Sequence, residues 1–217
     1  MGENESVIKR AEDEETRANE ISTFKIVNPS ALRVKSKVSD TSGDDIVDPI
    51  DRRYPMLLGT TVHRLMELIV SSKRAMDMDA AVSEVIREFK YRSDEKLLDK
   101  LTPALTSVAS TMANGGYEQS NDLPKDLLST LFAAEEVYCE VPFSYKDISD
   151  GKETINNGIM DVIYCSEGNW HIVDYKTNAE SDDLDFKYQN QLAAYVKAFK
   201  ETTGKEADAR TYHIDVG

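Results

Sequence analysis

Asp161 lies in Gly158-Ile-Met-Asp161-Val-Ile-Tyr164, flanked by apolar residues, and thirteen residues later Asp174-Tyr175-Lys176 ends the apolar run Ile172-Val173. Both segments read as strands, in which side chains two apart project to the same face. Asp174 and Lys176 therefore project together, and a neighbouring strand can set Asp161 beside them. A carboxylate in the middle of a buried strand is costly unless something compensates it. Two that converge repel each other and push a pKa upward unless a cation lies between them. Hard oxygen donors of this kind suit Mg²⁺, with Mn²⁺ as a substitute. A lysine beside such an ion can orient or deprotonate an attacking water and balance developing negative charge. A plainer account has the aspartates ending their strands and Lys176 making a structural ion pair. That account suffices for either aspartate alone; all three at this spacing favour a site.

Two helical segments offer supporting groups. His63 and Glu67 are four apart and share one helix face, so Glu67 can orient the imidazole from behind. Taken alone, His63 reads as a satisfied histidine; beside the aspartate pair it becomes a candidate ligand. Tyr188, Gln191 and Tyr195 also fall on one face. The tyrosines read as core packing. Gln191, an amide among apolar neighbours, needs partners if buried, and the site would supply them.

The elements that position these residues are legible in outline. Phe24 to Val38 reads as an extended entry, followed by a loop from Ser39 to Asp48. Gly59 to Val70 reads as a helix capped by Thr60 or Thr61, with Val62, Leu65, Met66 and Ile69 at helical spacing. Asp79 to Tyr91 and Asp94 to Met112 follow as helices, the second closed by Asn114-Gly115-Gly116. Pro124 suits the first turn of another helix running to about Glu136. Val137 to Tyr145, Ile155 to Tyr164 and Trp170 to Lys176 read as strands. A helix from about Leu184 to Thr202, ended by Gly204, precedes a last strand from Ala209 to Val216. The expected fold is α/β: a mixed central sheet flanked by helices, behind an N-terminal helical half.

The series Gly158-Ile-Met-Asp161, Val173-Asp174-Tyr175-Lys176-Thr177 and Tyr188-Gln-Asn-Gln191-Leu-Ala-Ala-Tyr195 resembles the nuclease domain of RecB and AddA helicase–nucleases, within the PD-(D/E)xK superfamily. The segment Gly59-Thr-Thr-Val-His63-Arg-Leu-Met-Glu67 is similar to that family's first motif. Four motifs occur in the family's order, over most of the chain from about Asn28. The resemblance implies a restriction-endonuclease-like αβββαβ core. It implies metal ligands at His63, Asp161, Asp174 and the backbone carbonyl of Tyr175, a catalytic lysine at Lys176, and contact of Gln191 with the active centre or the substrate. Glu140, in Cys139-Glu-Val-Pro-Phe143, resembles an acid that precedes the first family strand. One departure is Met160 before Asp161, where the superfamily name has proline. The implied activity is Mg²⁺-dependent exonucleolytic hydrolysis of DNA within a helicase–nuclease for double-strand-break repair. Two alternatives stay open: a nuclease fold that scaffolds or binds within a repair complex without cutting, and a nuclease acting on RNA or a small phosphodiester.

Composition shapes this expectation. The net charge is −14, and residues 1–20 hold seven acids against three bases, which leaves about −10 elsewhere. Proteins that hold DNA unaided neutralise its phosphates with Lys and Arg. Such a chain should grip DNA poorly alone, which points to a helicase domain or partner chain delivering a single strand. Residues 1–22 read as a disordered acidic leader and 23–217 as the nuclease domain. No apolar run is long enough to span a membrane and no secretory signal is legible, so the expected location is cytoplasmic. Cys139 and Cys165 read as small reduced core residues. His63-Arg-Leu-Met-Glu67 lacks the second histidine of HExxH, four clustered cysteines for an iron–sulfur cluster are missing, and there is no GxxxxGK[ST] phosphate loop.

Overall fold

The computed structural model describes residues 25–27, 49–73, 76–90, 95–149, 152–177 and 184–216. The expected acidic leader, the loop from Ser39 to Asp48 and most of the expected entry segment fall outside them. The elements are β1 (Lys25–Val27), α1 (Pro49–Ser71), α2 (Met78–Phe89), α3 (Glu95–Ala113), α4 (Leu127–Ala133), β2 (Glu136–Ser149), β3 (Lys152–Ser166), β4 (Asn169–Lys176), α5 (Leu184–Lys187), α6 (Gln189–Thr203) and β5 (Ala207–His213).

The five-stranded sheet is mixed, as the sequence implied. β2 pairs antiparallel with β3, β3 antiparallel with β4, and β4 parallel with β5, while β1 pairs parallel with β3. A two-residue turn joins β3 to β4; Glu167 and Gly168 both have positive φ, at 51° and 75°, the geometry that suits strand twist. The parallel step from β4 to β5 needs a crossover, which α5 and α6 supply. One apolar layer lies between α1–α4 and a sheet face carrying Val162, Tyr164, Val173, Tyr175 and Tyr212. A second joins Leu192, Tyr195, Ala198 and Phe199 of α6 to the opposite face through Met160, Ile163, Ile172 and Ala209.

Several boundaries differ from the expectation for local reasons. α1 begins ten residues earlier than Gly59, so Thr60 and Thr61 are not caps. Their hydroxyls donate back within the helix, to the carbonyls of Met56 and Leu58, each at 3.0 Å. The cap of α2 is Asp77, which accepts from Ala80 N at 2.7 Å. α4 is shorter than expected: Asp126, not the Pro124 turn, caps it through Ser129 N at 3.0 Å, and Ala134 is already extended. The expected single helix from Leu184 breaks at Tyr188, with φ −108° and ψ 13°. Tertiary contacts decide that break: Asp185 accepts from the backbone and hydroxyl of Thr211, both at 2.7 Å, while the Tyr188 ring is buried.

Gly116 closes α3 with φ 74°, its N–H donating to Thr111 O at 2.9 Å. A Cβ there would lie 2.1 Å from the Lys125 carbonyl oxygen and 2.6 Å from the Tyr212 hydroxyl. Gly116→Ala is therefore expected to lower stability by about 3 kcal/mol, read from urea unfolding midpoints. Gly115, also at positive φ but with open space around it, should tolerate alanine better.

Candidate active site

The site forms where the sheet departs from regularity. The β3–β4 ladder runs from Ser166↔Asn169 to Val162↔Val173 and stops, leaving Asp161 and Asp174 at the next step of the register. The β2–β3 ladder keeps a constant register yet skips one step, at Glu140 and Asp161. Glu140 has φ 50°, a left-handed conformation that costs a non-glycine residue on the order of 1 kcal/mol or more. Facing also changes here. Val162 and Tyr164 face the helical half and Ile163 faces away, so strict alternation would send Met160 toward the helices; instead it packs with α6. The distortion frees Asp161 to meet groups from α1.

Asp161 receives the backbone N–H of Tyr175 on Oδ2 at 2.7 Å, and its Oδ1 lies 3.3 Å from His63 Nδ1. His63 stands edge-on to the Tyr175 ring, with centroids 5.9 Å apart. Glu140 completes the group: donor atoms of His63, Glu140 and Asp161 all lie within 4.8 Å of one another. Asp174 stands outside that trio, in a network of its own. Its Oδ1 accepts from Gln191 Nε2 at 3.0 Å and from the Tyr195 hydroxyl at 3.2 Å. Its Oδ2 is buried without a well-aligned hydrogen bond and forms a close ion pair with the Lys176 ammonium. That ammonium also donates to Gln191 Oε1 at 3.4 Å and lies 4.2 Å from the centre of the Tyr188 ring. Gln191 thus bridges the acid and the base, one amide atom to each. Both groups open onto one cavity of about 570 Å³, with Pro142, Phe143 and Ile159 on its apolar side.

Burial and like charge dominate the electrostatics. Burial, then the Asp161 carboxylate, pushes Glu140 up to about 7. Burial raises Asp174 to about 6 against the pull of Lys176, with Asp161 adding to the rise. Burial pulls the His63 imidazole down, but the Asp161 and Asp174 carboxylates outweigh it and leave the pKa raised. Tyr195, lifted far above its ordinary range by burial and then by Asp174, stays a hydrogen-bond donor. The donor set, two carboxylates and an imidazole at one point with a further acid and a lysine alongside, fits a hard divalent cation. An ion there would offset the desolvation that, with the Asp161 charge, raises both Glu140 and Asp174.

Of the candidate residues named from the sequence, His63, Glu140, Asp161, Asp174, Lys176 and Gln191 line this cavity, and the Tyr175 backbone N–H donates to Asp161. Glu67 differs from expectation. Its carboxylate takes Arg64 Nη1 at 2.6 Å rather than the imidazole. Tyr195 was expected only to pack, yet its hydroxyl joins the Asp174 network; its place one helical turn from Gln191 was the available signal. Glu140 stands out in the sequence only by its resemblance to a family acid; its meeting with His63 and Asp161 depends on strand pairing and a positive φ.

The raised pKa of Glu140 has a consequence for stability. An acid whose pKa rises on folding, here from 4.5 to about 7, favours the metal-free fold at low pH, and that contribution fades as pH climbs through this window. Glu140→Gln removes the penalty. By differential scanning calorimetry, the metal-free variant should melt above wild type at pH 8, with the gap closing by pH 5. A gap of equal size at both pH values would contradict it.

Comparisons with known proteins identify the family. The family model described as the PD-(D/E)XK nuclease superfamily matches residues 41–216. The chain is 25% identical over 221 residues to an ATP-dependent helicase/nuclease chain from Clostridium botulinum (strain Loch Maree / Type A3), covering 88% of this chain and 17% of that protein. It is 28% identical over 168 residues to the ATP-dependent helicase/nuclease chain of the same name from Clostridium beijerinckii, covering 70% and 13% respectively. The chain thus spans less than a fifth of the length of these curated relatives. Among solved structures, SSO0001 aligns at 14% identity over 74% of this chain and 71% of that one, with a TM-score of 0.34. That likeness is too loose to add to the assignment. The family match, with its sheet, crossover helices and clustered acids, settles the ancestry: this chain belongs to the PD-(D/E)XK nuclease superfamily.

Proposed function

We propose that this chain is a divalent-metal-dependent deoxyribonuclease domain that works exonucleolytically as part of a helicase–nuclease in double-strand-break repair. The observation that carries the reading is the convergence of the His63–Glu140–Asp161 trio and the Asp174–Lys176 pair on one cavity. His63, Asp161, Asp174 and the Tyr175 backbone carbonyl would hold Mg²⁺ or Mn²⁺, and the position of Glu140 supports adding it to the set. A bound ion there supplies polarisation of the phosphoryl oxygen and a lowered pKa for a coordinated water.

The chain's own residues do the rest. Asp174 and Gln191 hold the Lys176 ammonium from two sides, fixing it at the cavity wall. From there Lys176 orients the attacking water and offsets the negative charge that builds on the phosphorane-like transition state. Gln191 keeps acid and base in register, and Tyr195 donates to the same acid, so that Asp174 is held whether or not Lys176 moves to the substrate. The acidic balance of the chain, −14 overall, supports a strand delivered by a motor rather than captured by this surface. The likeness to ATP-dependent helicase/nuclease chains supports the same arrangement. Among the described residues no helix is long and apolar enough to cross a membrane.

The test is digestion of linear single-stranded DNA, duplex DNA and RNA by wild type and Lys176→Ala, with Mg²⁺, Mn²⁺ or chelator. Wild type should shorten DNA from its ends only when metal is present. Lys176→Ala should lower the rate by about 10²–10⁴-fold. Equal rates in the two proteins would remove Lys176 from the mechanism, and preferential loss of RNA would reassign the substrate.

A further inference from the structure

Arg64 follows His63 on α1 and is used by none of the chemistry above. Its guanidinium grips Glu88 of α2 with both prongs, Nε to Oε2 at 2.8 Å and Nη2 to Oε1 at 2.7 Å. A third bond runs from Nη1 to Glu67 Oε2 at 2.6 Å, one turn along the same helix. Three charge-assisted bonds in a fork geometry are stronger and more directional than an ordinary surface ion pair. The position of this clamp gives it a consequence. The polar side of the turn bearing His63 borders a cleft of about 730 Å³, walled by His63, Arg64, Glu67, Glu88 and Glu140, instead of packed core. The Arg64–Glu88 bridge lies in the wall of that cleft and ties α1 to α2. On the other side the same turn is fixed by core residues Val62, Leu65 and Met66 and by the edge contact of His63 with Tyr175.

We propose that Arg64 is a positioning residue, which, through its bidentate grip on Glu88 and its bond to Glu67, sets the roll of α1 that places the His63 imidazole against Asp161. The inference rests on the metal-site reading only for its effect on ion affinity. Groups that hydrogen-bond a ligand directly change metal affinity by about 10- to 100-fold when removed, and Arg64, acting one step further back through α1, is expected at the lower end of that range. Arginine is required because lysine, with a single compact ammonium, cannot bridge both oxygens of Glu88 and reach Glu67 as well.

Two variants test the clamp, Arg64→Lys and the milder Glu88→Gln, which keeps one bond to the guanidinium. Two readouts are used on the whole chain. The first is Mn²⁺ affinity by isothermal titration calorimetry, beside the metal-free melting temperature and DNA cleavage at saturating Mn²⁺. The second is the Nδ1 chemical shift of His63 by NMR in the metal-free protein labelled with ¹⁵N-histidine, where only three histidines contribute. The expected result is about 10-fold weaker Mn²⁺ binding, cleavage that recovers toward the wild-type rate at saturating metal, and a displaced His63 Nδ1 signal with His171 and His213 unmoved. A lower melting temperature with unchanged Mn²⁺ affinity and an unmoved His63 signal would mean the clamp only holds the helices together, and would overturn the proposal. If wild type itself binds no Mn²⁺, the metal-site reading fails, and the His63 signal alone decides: unmoved in both variants, it refutes the clamp.

Discussion

Asp161 and Asp174 are withdrawn from water at neighbouring positions of a sheet, 7% and 1% exposed, and the surrounding structure is organised around tolerating them. Buried carboxylates persist only where donors or cations meet each oxygen. Asp161 is met by a backbone N–H and an imidazole, Asp174 by an amide, a phenol and an ammonium. These partners come from three places: the long helix before the sheet, the strand itself, and the crossover helix after it. A change in the angle of any one would strand a charge in a poorly solvated cavity.

The two acids are compensated differently, and the difference suits a division of labour. Asp174 accepts from two neutral donors on one oxygen, while the other, without a hydrogen bond, faces the Lys176 ammonium. Asp161 shares its surroundings with Glu140 and His63, and there burial, with the Asp161 carboxylate adding to it, raises Glu140 to about 7. One half pairs a base with its brace; the other gathers two carboxylates and an imidazole at one point. Preorganised sites commonly divide in this way, rigid where geometry must be kept and electrostatically strained where an ion is to be taken up.

Strain in the sheet is the device that brings the trio together. A regular β2–β3 ladder would continue through Glu140 and Asp161; instead the pairing lapses there and Glu140 adopts a left-handed backbone. The energetic cost is small beside that of the two packed layers on either face, which hold the strands whether or not one pair is missing. On the helical side, the bond from Arg64 to Glu88 joins the polar faces of α1 and α2 at the edge of a cleft, beyond the core the two helices share.

Residue types and short spacings carry much of this in the sequence. The pairing of Asp174 with Lys176 follows from strand periodicity, the placement of Gln191 on the inner face of α6 from helical periodicity, and the mixed sheet behind a helical half from the order of apolar patterns. What required the fold were relations between elements. Thr60 and Thr61 resemble caps because threonine oxygens accept well from the first-turn N–H groups of a helix; in the fold α1 begins earlier and their hydroxyls donate to preceding carbonyls instead. Tyr188 breaks its helix through burial and the docking of Asp185 on β5, neither of which leaves a mark in periodicity. Glu67 shares a face with His63, yet it turns to Arg64, because a guanidinium held by α2 competes better for its carboxylate. Local sequence set which groups could do chemistry, since side-chain type and repeat are local properties. Tertiary structure decided which of them meet, because desolvation, register and charge competition exist only once distant segments are packed together.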